Sequence, residues 1–421
     1  MSQSTPEVPA PVRVVVGVAG GIAAYKACHL VRLFGETGHD VRVVPTPAAL
    51  EFVGKATFEA LSGNPVSTTV FDAVDEVRHV AVGQQADVVV IAPATADVIA
   101  RLAAGRADDL LTATCLVATC PIVVAPAMHT EMWNNPATQD NVATLRRRGL
   151  TVLEPAHGRL TGKDTGPGRL PDPEQIFALT EYVRQAGALP RDMEGLNVVI
   201  SAGGTREAID PVRFIGNHSS GKQGFALAEI AAQRGARVTV VKGATVEMPT
   251  PIGAQVIPVT SALELEEKIN ELAPRNDIIV MAAAVADFRP HHAANSKLKK
   301  GQSSDALSHI DLVENPDILA GVVATRHQGA IPADTTIVGF AAETGDTQKT
   351  AADYGRIKLA KKGCDILMVN EVGEGKVFGQ ATNQGWLLDS RGAEQLVPAG
   401  TKYQVASQIL DAVVAHRAAQ N

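Results

Sequence analysis

A chain of 421 residues exceeds what one hydrophobic core usually organises, so two domains of about 200 residues each are expected. Apolar residues make up 45% of it, yet no uninterrupted apolar run approaches the roughly 18 residues of a membrane-spanning helix, so no membrane partner is expected. The net charge of -7 argues against a nucleic-acid partner, whose phosphates would have to be neutralised by Lys and Arg, so any phosphate binding should be local.

Residues 1–11 are polar and proline-rich with an acidic Glu7, lack the basic start and apolar stretch of a secretory signal, and read as a disordered tail. Cys28, Cys115, Cys120 and Cys364 are too scattered for a disulfide framework or a paired metal site, and a reducing cytoplasm fits them. Residues 12–18 are a β-branched run ending at Gly20-Gly21, 22–34 carry helical spacing before a turn at 35–38, and 41–44 form the next strand. Strand, glycine turn, helix and strand in that order predict a right-handed βαβ unit, and a third strand at 87–92 leads to Ala96-Asp97. The helix-breaking stretch 186–192 places a boundary at residue 190. Beyond it the same grammar returns: a strand at 197–201 before Gly203-Gly204, a helix at 225–234, a strand within 235–241, and a strand at 277–282 leading to Ala286-Asp287. Common ancestry and the valine-rich composition of any buried parallel strand both account for the echo. Either predicts an α/β fold of two doubly wound, Rossmann-like domains at 12–190 and 191–421.

The first glycine turn, Gly17 followed by Gly20, Gly21 and Ile22, does not match G-x-G-x-x-G, and the second strand ends at Val44-Pro45-Thr46 without the acidic residue that holds a ribose. A nicotinamide dinucleotide is thereby disfavoured. The N–H groups of such a turn, with the Thr46 hydroxyl, suit a single phosphate like that of FMN. Pro93-Ala94-Thr95-Ala96-Asp97 and Ala125-Pro126-Ala127-Met128-His129 each follow a buried strand, where small residues give either tight packing or room for a flat ring.

The segments Gly20-Gly21-Ile22-Ala23-Ala24-Tyr25-Lys26, Pro93 to Asp97, and Pro126-Ala127-Met128-His129-Thr130-Glu131-Met132-Trp133 resemble the homo-oligomeric flavin-containing cysteine decarboxylases over about residues 12–185. The resemblance implies a flavodoxin-like domain, FMN, a phosphopantothenoylcysteine substrate, and a trimer-based assembly with sites between subunits. It implies cofactor contacts at Gly20, Gly21, Ile22, Thr46, Ala94, Thr95 and Met128. His79 falls where that family keeps its catalytic histidine, and an imidazole titrating near neutrality suits removal of a thiol proton. Loss of CO2 from a cysteine amide needs an electron sink. Oxidation at the thiol-bearing carbon creates one as a thioaldehyde, and its later reduction means that no external oxidant is consumed. His129 stands where the family motif has Asn, so an imidazole takes the contact to the substrate carboxylate. The family's flap carries a cysteine before Gly-Pro-Gly-Arg, and Thr161 to Arg169 has none.

In the second half, Gly216 to Gln223 nearly matches a P-loop, but Gln223 replaces the magnesium-binding Ser or Thr and no strand is expected immediately before it. What remains is a turn opening a helix, serving as an anion site or a plain cap. Lys297-Leu298-Lys299-Lys300 reads as a solvated charge run or as a lid over phosphates, and His291-His292 lacks partner ligands and should face solvent. Residues 192–415 resemble the phosphopantothenate-cysteine ligases through Ser201 to Glu207, Asp210-Pro211-Val212-Arg213, Asn217 to Lys222, Ala282 to Arg289, Asn315-Pro316-Asp317-Ile318 and Gly339 to Thr344. Bacterial members with this two-domain order use CTP. The resemblance implies that Ala283, Asp287, Lys297, Asn315, Pro316, Asp317, Ile318, Phe340, Lys358 and Lys362 bind CTP, that Asn217 and Arg213 handle an acyl-cytidylate, with Asn217 and Lys297 catalytic, and that Mg2+ accompanies the triphosphate. Its protein ligands are left unassigned.

Together the two resemblances imply successive steps of coenzyme A biosynthesis: CTP-dependent ligation of cysteine to 4'-phosphopantothenate, then decarboxylation to 4'-phosphopantetheine. Decarboxylase trimers joined to ligase dimers would build a dodecameric homo-oligomer. A flavin-binding regulatory protein is the rival of another class, and the complete set of ligase motifs argues against it. A nucleotide-sugar or NAD-dependent reductase is disfavoured by the missing dinucleotide fingerprint.

Overall fold

The structure, a computed structural model, describes residues 11–69, 78–159, 165–299, 309–344, 348–371 and 382–420. Most of the tail expected at 1–11 and the flap residues 161–164 lie outside the described residues. The chain divides into two compact units, Met1–Pro190 and Arg191–Asn421. Among the described residues, no helix is long and apolar enough to cross a membrane.

The first unit is built on five parallel strands, β1 (Arg13–Val18), β2 (Asp40–Pro45), β3 (Val88–Ala94), β4 (Ile122–Pro126) and β5 (Thr151–Val152), in the order β2-β1-β3-β4-β5. All seven residues of β3 are buried, because helices cover both faces of the sheet and a central parallel strand can expose neither. This is the flavodoxin-like order, whose direction reverses between β1 and β3 and opens a crevice at their carboxyl ends. The helix expected at 22–34 starts as a 3-10 turn, Ile22–Ala24, and continues as Tyr25–Glu36. Gly35, expected in a turn, stays helical, and the reversal comes at Gly38, whose φ of +86° suits a residue without Cβ. A hairpin follows the sheet: β6 (Ala156–Arg159) and β7 (Thr165–Arg169).

In the second unit, β8 (Asn197–Ala202) leads to a hairpin of β9 (Glu207–Ala208) and β10 (Phe214–Ile215), then to β11 (Arg237–Lys242), β12 (Ala254–Pro258) and β13 (Ile278–Met281). A second hairpin pairs β14 (Phe288–Pro290) with β15 (Leu312–Glu314), before β16 (Thr336–Glu343), β17 (Ile366–Glu371), β18 (Thr382–Asp389) and β19 (Glu394–Thr401). The main sheet runs β12-β11-β8-β13-β16-β17-β18-β19. Its first six strands are parallel in the Rossmann order 3-2-1-4-5-6, and β18 and β19 add an antiparallel edge. The helix expected from residue 225 begins at Lys222, because Gly221 at φ +76° turns the chain into it. A strand, β10, does precede Gly216, correcting the expectation of none; it pairs antiparallel with β9 outside the main sheet, unlike the core strand of a P-loop.

Candidate active sites

A cleft of about 480 Å³ opens at the β1/β3 switch point of the first unit, within the range of about 300–1,000 Å³ typical of cofactor sites. Gly21, Ile22, Tyr25 and Lys26 form one wall, Pro93, Thr95 and Ala96 the floor, and Ala127, Met128, His129, Met132, Gly168, Arg169 and Leu170 the other side. Of the expected cofactor residues, Gly21, Ile22, Thr95 and Met128 line it, as does His129, while Gly20, Thr46 and Ala94 do not. Thr46 is 4% exposed, and its hydroxyl accepts from Ala49 N at 3.2 Å to cap the turn after β2. Ala94 is wholly buried at the end of β3.

The two glycines have different duties. A Cβ on Gly20 would lie 2.5 Å from Ala48 Cβ and 2.7 Å from its carbonyl carbon, whereas one on Gly21 would meet nothing nearer than Thr95 Cγ2 at 3.7 Å. Gly20→Ala should therefore cost about 2 kcal/mol by overpacking, lowering the melting temperature of this unit by about 4–8 °C. Gly21→Ala should leave melting unchanged and weaken only what the cleft binds. Thermal melts of both variants beside flavin titrations check this, and equal losses of stability would remove the distinction.

Three charged groups stand at the cleft rim. Lys26 Nζ donates to Asp172 Oδ1 at 2.8 Å, and Arg169 Nη2 donates to the same oxygen at 3.2 Å. Two cations share one carboxylate, so the rim keeps a net positive charge suited to an anionic ligand. Asp172 gave no signal in the sequence beyond its place before Pro173 at a helix start, and Lys26 and Arg169 were present in the quoted motifs without an assigned role. The returning strand of the flap is pinned beside them. Met128 N donates to Gly168 O at 2.9 Å, and Thr130 Oγ1 donates to Pro167 O at 2.8 Å.

His79 falls in the first turn of the helix Arg78–Gln85, its side chain outside the described part of the structure. That helix packs against Leu110–Val117, and none of its described residues lines the cleft. Ile22, Tyr25 and Met132, by contrast, stand 74%, 63% and 46% exposed around it.

In the second unit the carboxyl ends of β8, β11 and β13 are laced through backbone. Gly204 N donates to Ala244 O, and Ala284 N to Gly203 O, each at 2.8 Å, while Ala283 N donates to Ser201 Oγ at 3.1 Å. Asn217 Nδ2 reaches Val285 O at 2.9 Å beside this junction. Asn315 N donates to Asp287 O, and Asn315 Nδ2 to Ala286 O, both at 2.8 Å, so Asn217, Asp287 and Asn315 meet around residues 285–287. Asn315, Pro316, Asp317 and Ile318 run into the helix Ile318–His327, which Asp317 caps through Ala320 N. Lys358 and Lys362, one turn apart on the helix Ala351–Lys362, pair with Glu343 and Asp317 respectively. Phe340 lies in β16, whose last residue is Glu343.

The expected lysine lid is held at its stem. Asp210, its side chain fully shielded, accepts from Val212 N, Arg213 N, Arg213 Nη1 and Leu298 N at 2.7–3.2 Å, and Arg213 Nη1 also reaches Leu298 O. Lys297 itself is exposed. Arg213 thus has an internal task that its motif did not announce, and Asp210 was missed as its organiser. Ser219 and Ser220 hydroxyls accept from Gly221 N and Lys222 N within the turn, while the N-cap residue itself is Gly221 and makes no side-chain cap bond. His291 and His292 are exposed, their rings in tilted contact with centroids 4.1 Å apart. No cluster of three His, Cys, Asp or Glu side chains able to hold a metal occurs among the described residues.

The model of the Flavoprotein family matches residues 2–184, and that of the DNA/pantothenate metabolism flavoprotein C-terminal domain matches residues 193–416. The chain is 58% identical over 410 residues to the coenzyme A biosynthesis bifunctional protein CoaBC of Mycolicibacterium smegmatis, covering 97% of this chain and 99% of the relative. It is 58% identical over 405 residues to the protein of the same name from Mycobacterium tuberculosis, covering 96% of each. The Vibrio vulnificus protein of that name is 44% identical over 401 residues, covering 94% of this chain and 96% of the relative.

Proposed function

The chain belongs to the family of bifunctional coenzyme A biosynthesis proteins, with flavin-dependent decarboxylase and ligase activities, and from that premise we propose how its residues divide the work. The second unit activates 4'-phosphopantothenate with CTP and Mg2+, and cysteine then displaces CMP from the acyl-cytidylate. The first unit holds FMN and decarboxylates the phosphopantothenoylcysteine so formed. The setting is the cytoplasm.

The observation that carries the decarboxylase reading is the cleft itself. Gly21 leaves open the space a side chain would fill, Pro93, Thr95 and Ala96 keep the floor free of large side chains, and the rim of Lys26 and Arg169 favours an anion. These residues fit a flavin whose phosphate approaches the turn Ile22–Ala24, where a helix start presents N–H groups. When bound, the flavin supplies the electron sink that loss of CO2 requires. His79 takes the thiol proton. Its helix stays away from the cleft of its own chain, and exposed Ile22, Tyr25 and Met132 ring that cleft, so a neighbouring copy brings His79 in, as a trimer would.

In the ligase, a carboxylate resists amine attack until its oxygen becomes a leaving group, and CMP transfer provides one. Lys297, on the loop stem gripped by Asp210, neutralises the triphosphate, with Asp287, Asn315 to Ile318, Ala283, Phe340, Lys358 and Lys362 around the nucleotide. Asn217 orients the acyl-cytidylate. Val212, Phe214, Phe288 and Leu312 are 59%, 52%, 45% and 47% exposed on two hairpins packed together, a face that suits ligase dimers and, with decarboxylase trimers, a dodecamer.

Mass spectrometry of the flavin-loaded protein given 4'-phosphopantothenate, cysteine, CTP and magnesium tests both halves. Pyrophosphate, CO2 and 4'-phosphopantetheine should appear together. His79→Asn should keep its flavin and stall at phosphopantothenoylcysteine; full decarboxylation by that variant would remove His79 from the mechanism.

A further inference from the structure

Decarboxylation exchanges a carboxylate for a hydrogen. The C–C bond breaks, its electron pair stays with the substrate, and the carbon left behind takes one proton. With a flavin as two-electron acceptor and donor no external oxidant enters, but that proton has to come from an acid at the cleft.

The described residues leave few candidates. None of the four cysteines lines the cleft: burial pushes the Cys115 thiol up to about 12, burial also raises Cys28 and Cys120, and Cys364 belongs to the other unit. Tyr25, Lys26 and Arg169 do line it, but phenol, ammonium and guanidinium groups are weak acids as classes. Lys26 and Arg169 are moreover both engaged by Asp172. Among the described lining residues His129 carries the one imidazole, and the His79 that a neighbouring copy would bring is already assigned to the thiol.

Its surroundings suit that use. His129 occupies the N-cap position of the helix Thr130–Trp133 without a side-chain cap bond, so the ring is not spent on the helix. The backbone around it is fixed: Met128 N and Thr130 Oγ1 are tied to β7 at Gly168 O and Pro167 O, and Trp133 N donates to His129 O at 3.0 Å. His129, exposed and on a rigid stem, lines the cavity in which the substrate would react.

We infer, resting on the decarboxylase reading above, that His129 is the catalytic acid that protonates the carbon losing CO2. Departure of CO2 leaves an enethiolate. An imidazolium N–H gives its proton to the former carboxylate-bearing carbon, which yields a thioaldehyde. Hydride return at the sulfur-bearing carbon, with the electron pair borrowed earlier, then gives the saturated thiolate, and solvent reprotonates both sulfur and imidazole.

The test uses the full flavin-loaded chain with phosphopantothenoylcysteine, and ligation by the second unit serves as the folding control. His129→Asn should release about one CO2 per flavin in the first turnover, hold the flavin reduced, and accumulate a CO2-free species lighter than product by two hydrogens. Formation of 4'-phosphopantetheine should fall at least about 100-fold. In D2O, wild-type protein should place deuterium at that carbon with one handedness. His129→Cys, which restores an acidic proton, should outpace His129→Ser of similar shape. Saturated product at the wild-type rate from His129→Asn, loss of CO2 release together with product, or equal rates for the Cys and Ser variants would each overturn the assignment. Absence of CO2 from the wild-type protein would instead overturn the decarboxylase reading.

Discussion

Gly168→Ala is expected to lower decarboxylation about 100-fold, the scale of a misplacement near 1 Å, while ligation stays at the wild-type rate. Gly168 sits at φ +136°, where L side chains are strained, and a Cβ there would lie 2.3 Å from Met128 O. That oxygen is backbone and cannot rotate away. The same residue accepts from Met128 N, so relief of the clash breaks this bond and shifts Met128 and His129 on one side and Arg169 and Leu170 on the other. Gly166→Ala is the control. Its Cβ would meet Thr130 Oγ1 at 2.4 Å and Cγ2 at 3.0 Å, a side chain rather than a backbone oxygen, and Gly166 carries no positive φ, so the loss should be milder. Single-turnover CO2 release, read beside flavin content, separates the two. Wild-type decarboxylation by Gly168→Ala would mean that β7 need not hold the cleft wall.

Parallel strands buried on both faces announce themselves as unbroken valine and isoleucine runs, which is why β1, β3, β8 and β13 were legible from composition alone. The glycine turns after β1 and β8 marked where each sheet's crevice opens. What stayed hidden was contact across sequence. Lys26 meets Asp172 at a separation of 146 residues, and Asp210 meets Leu298 at 88, and no local pattern reports either. Thr46 shows the opposite error, since a hydroxyl expected to face a phosphate caps its own turn through an N–H three residues on. Arg234 was read only as the end of a helix. It is fully buried, with Nη2 on Asp192 Oδ2 at 2.6 Å and Nη1 on Asp411 Oδ1 at 2.7 Å, tying the start of the second unit to its last helix. The β18/β19 edge lacks a strong apolar run, β18 alternating in burial and β19 burying only Val397, which hid it as well.

Asp210→Asn should slow ligation about 100-fold, again on the scale of a displaced catalytic group, and leave decarboxylation of supplied phosphopantothenoylcysteine untouched. The carboxylate presents two oxygens to four donors: Oδ1 to the N–H groups of Val212 and Arg213, Oδ2 to Leu298 N and Arg213 Nη1. An amide offers one acceptor and one donor, so whichever way it turns, an N–H pair or the guanidinium faces an N–H2. Burial alone would push the Asp210 carboxyl up, but the Val212, Arg213 and Leu298 N–H groups and the Arg213 charge outweigh it and hold it below the usual carboxylate range. The clamp is therefore charged at neutral pH and is lost only in acid, as pH falls through that lowered value. Once Leu298 is released, Lys297 beside it loses its fixed stem, and the step that suffers should be acyl-cytidylate formation. Pyrophosphate release should fall, while cysteine displaces CMP from preformed acyl-cytidylate at an ordinary rate. Slowing of the second step alone would assign Asp210 to the Asn217 side of the site, and unchanged pyrophosphate release would show that the loop closes without this anchor.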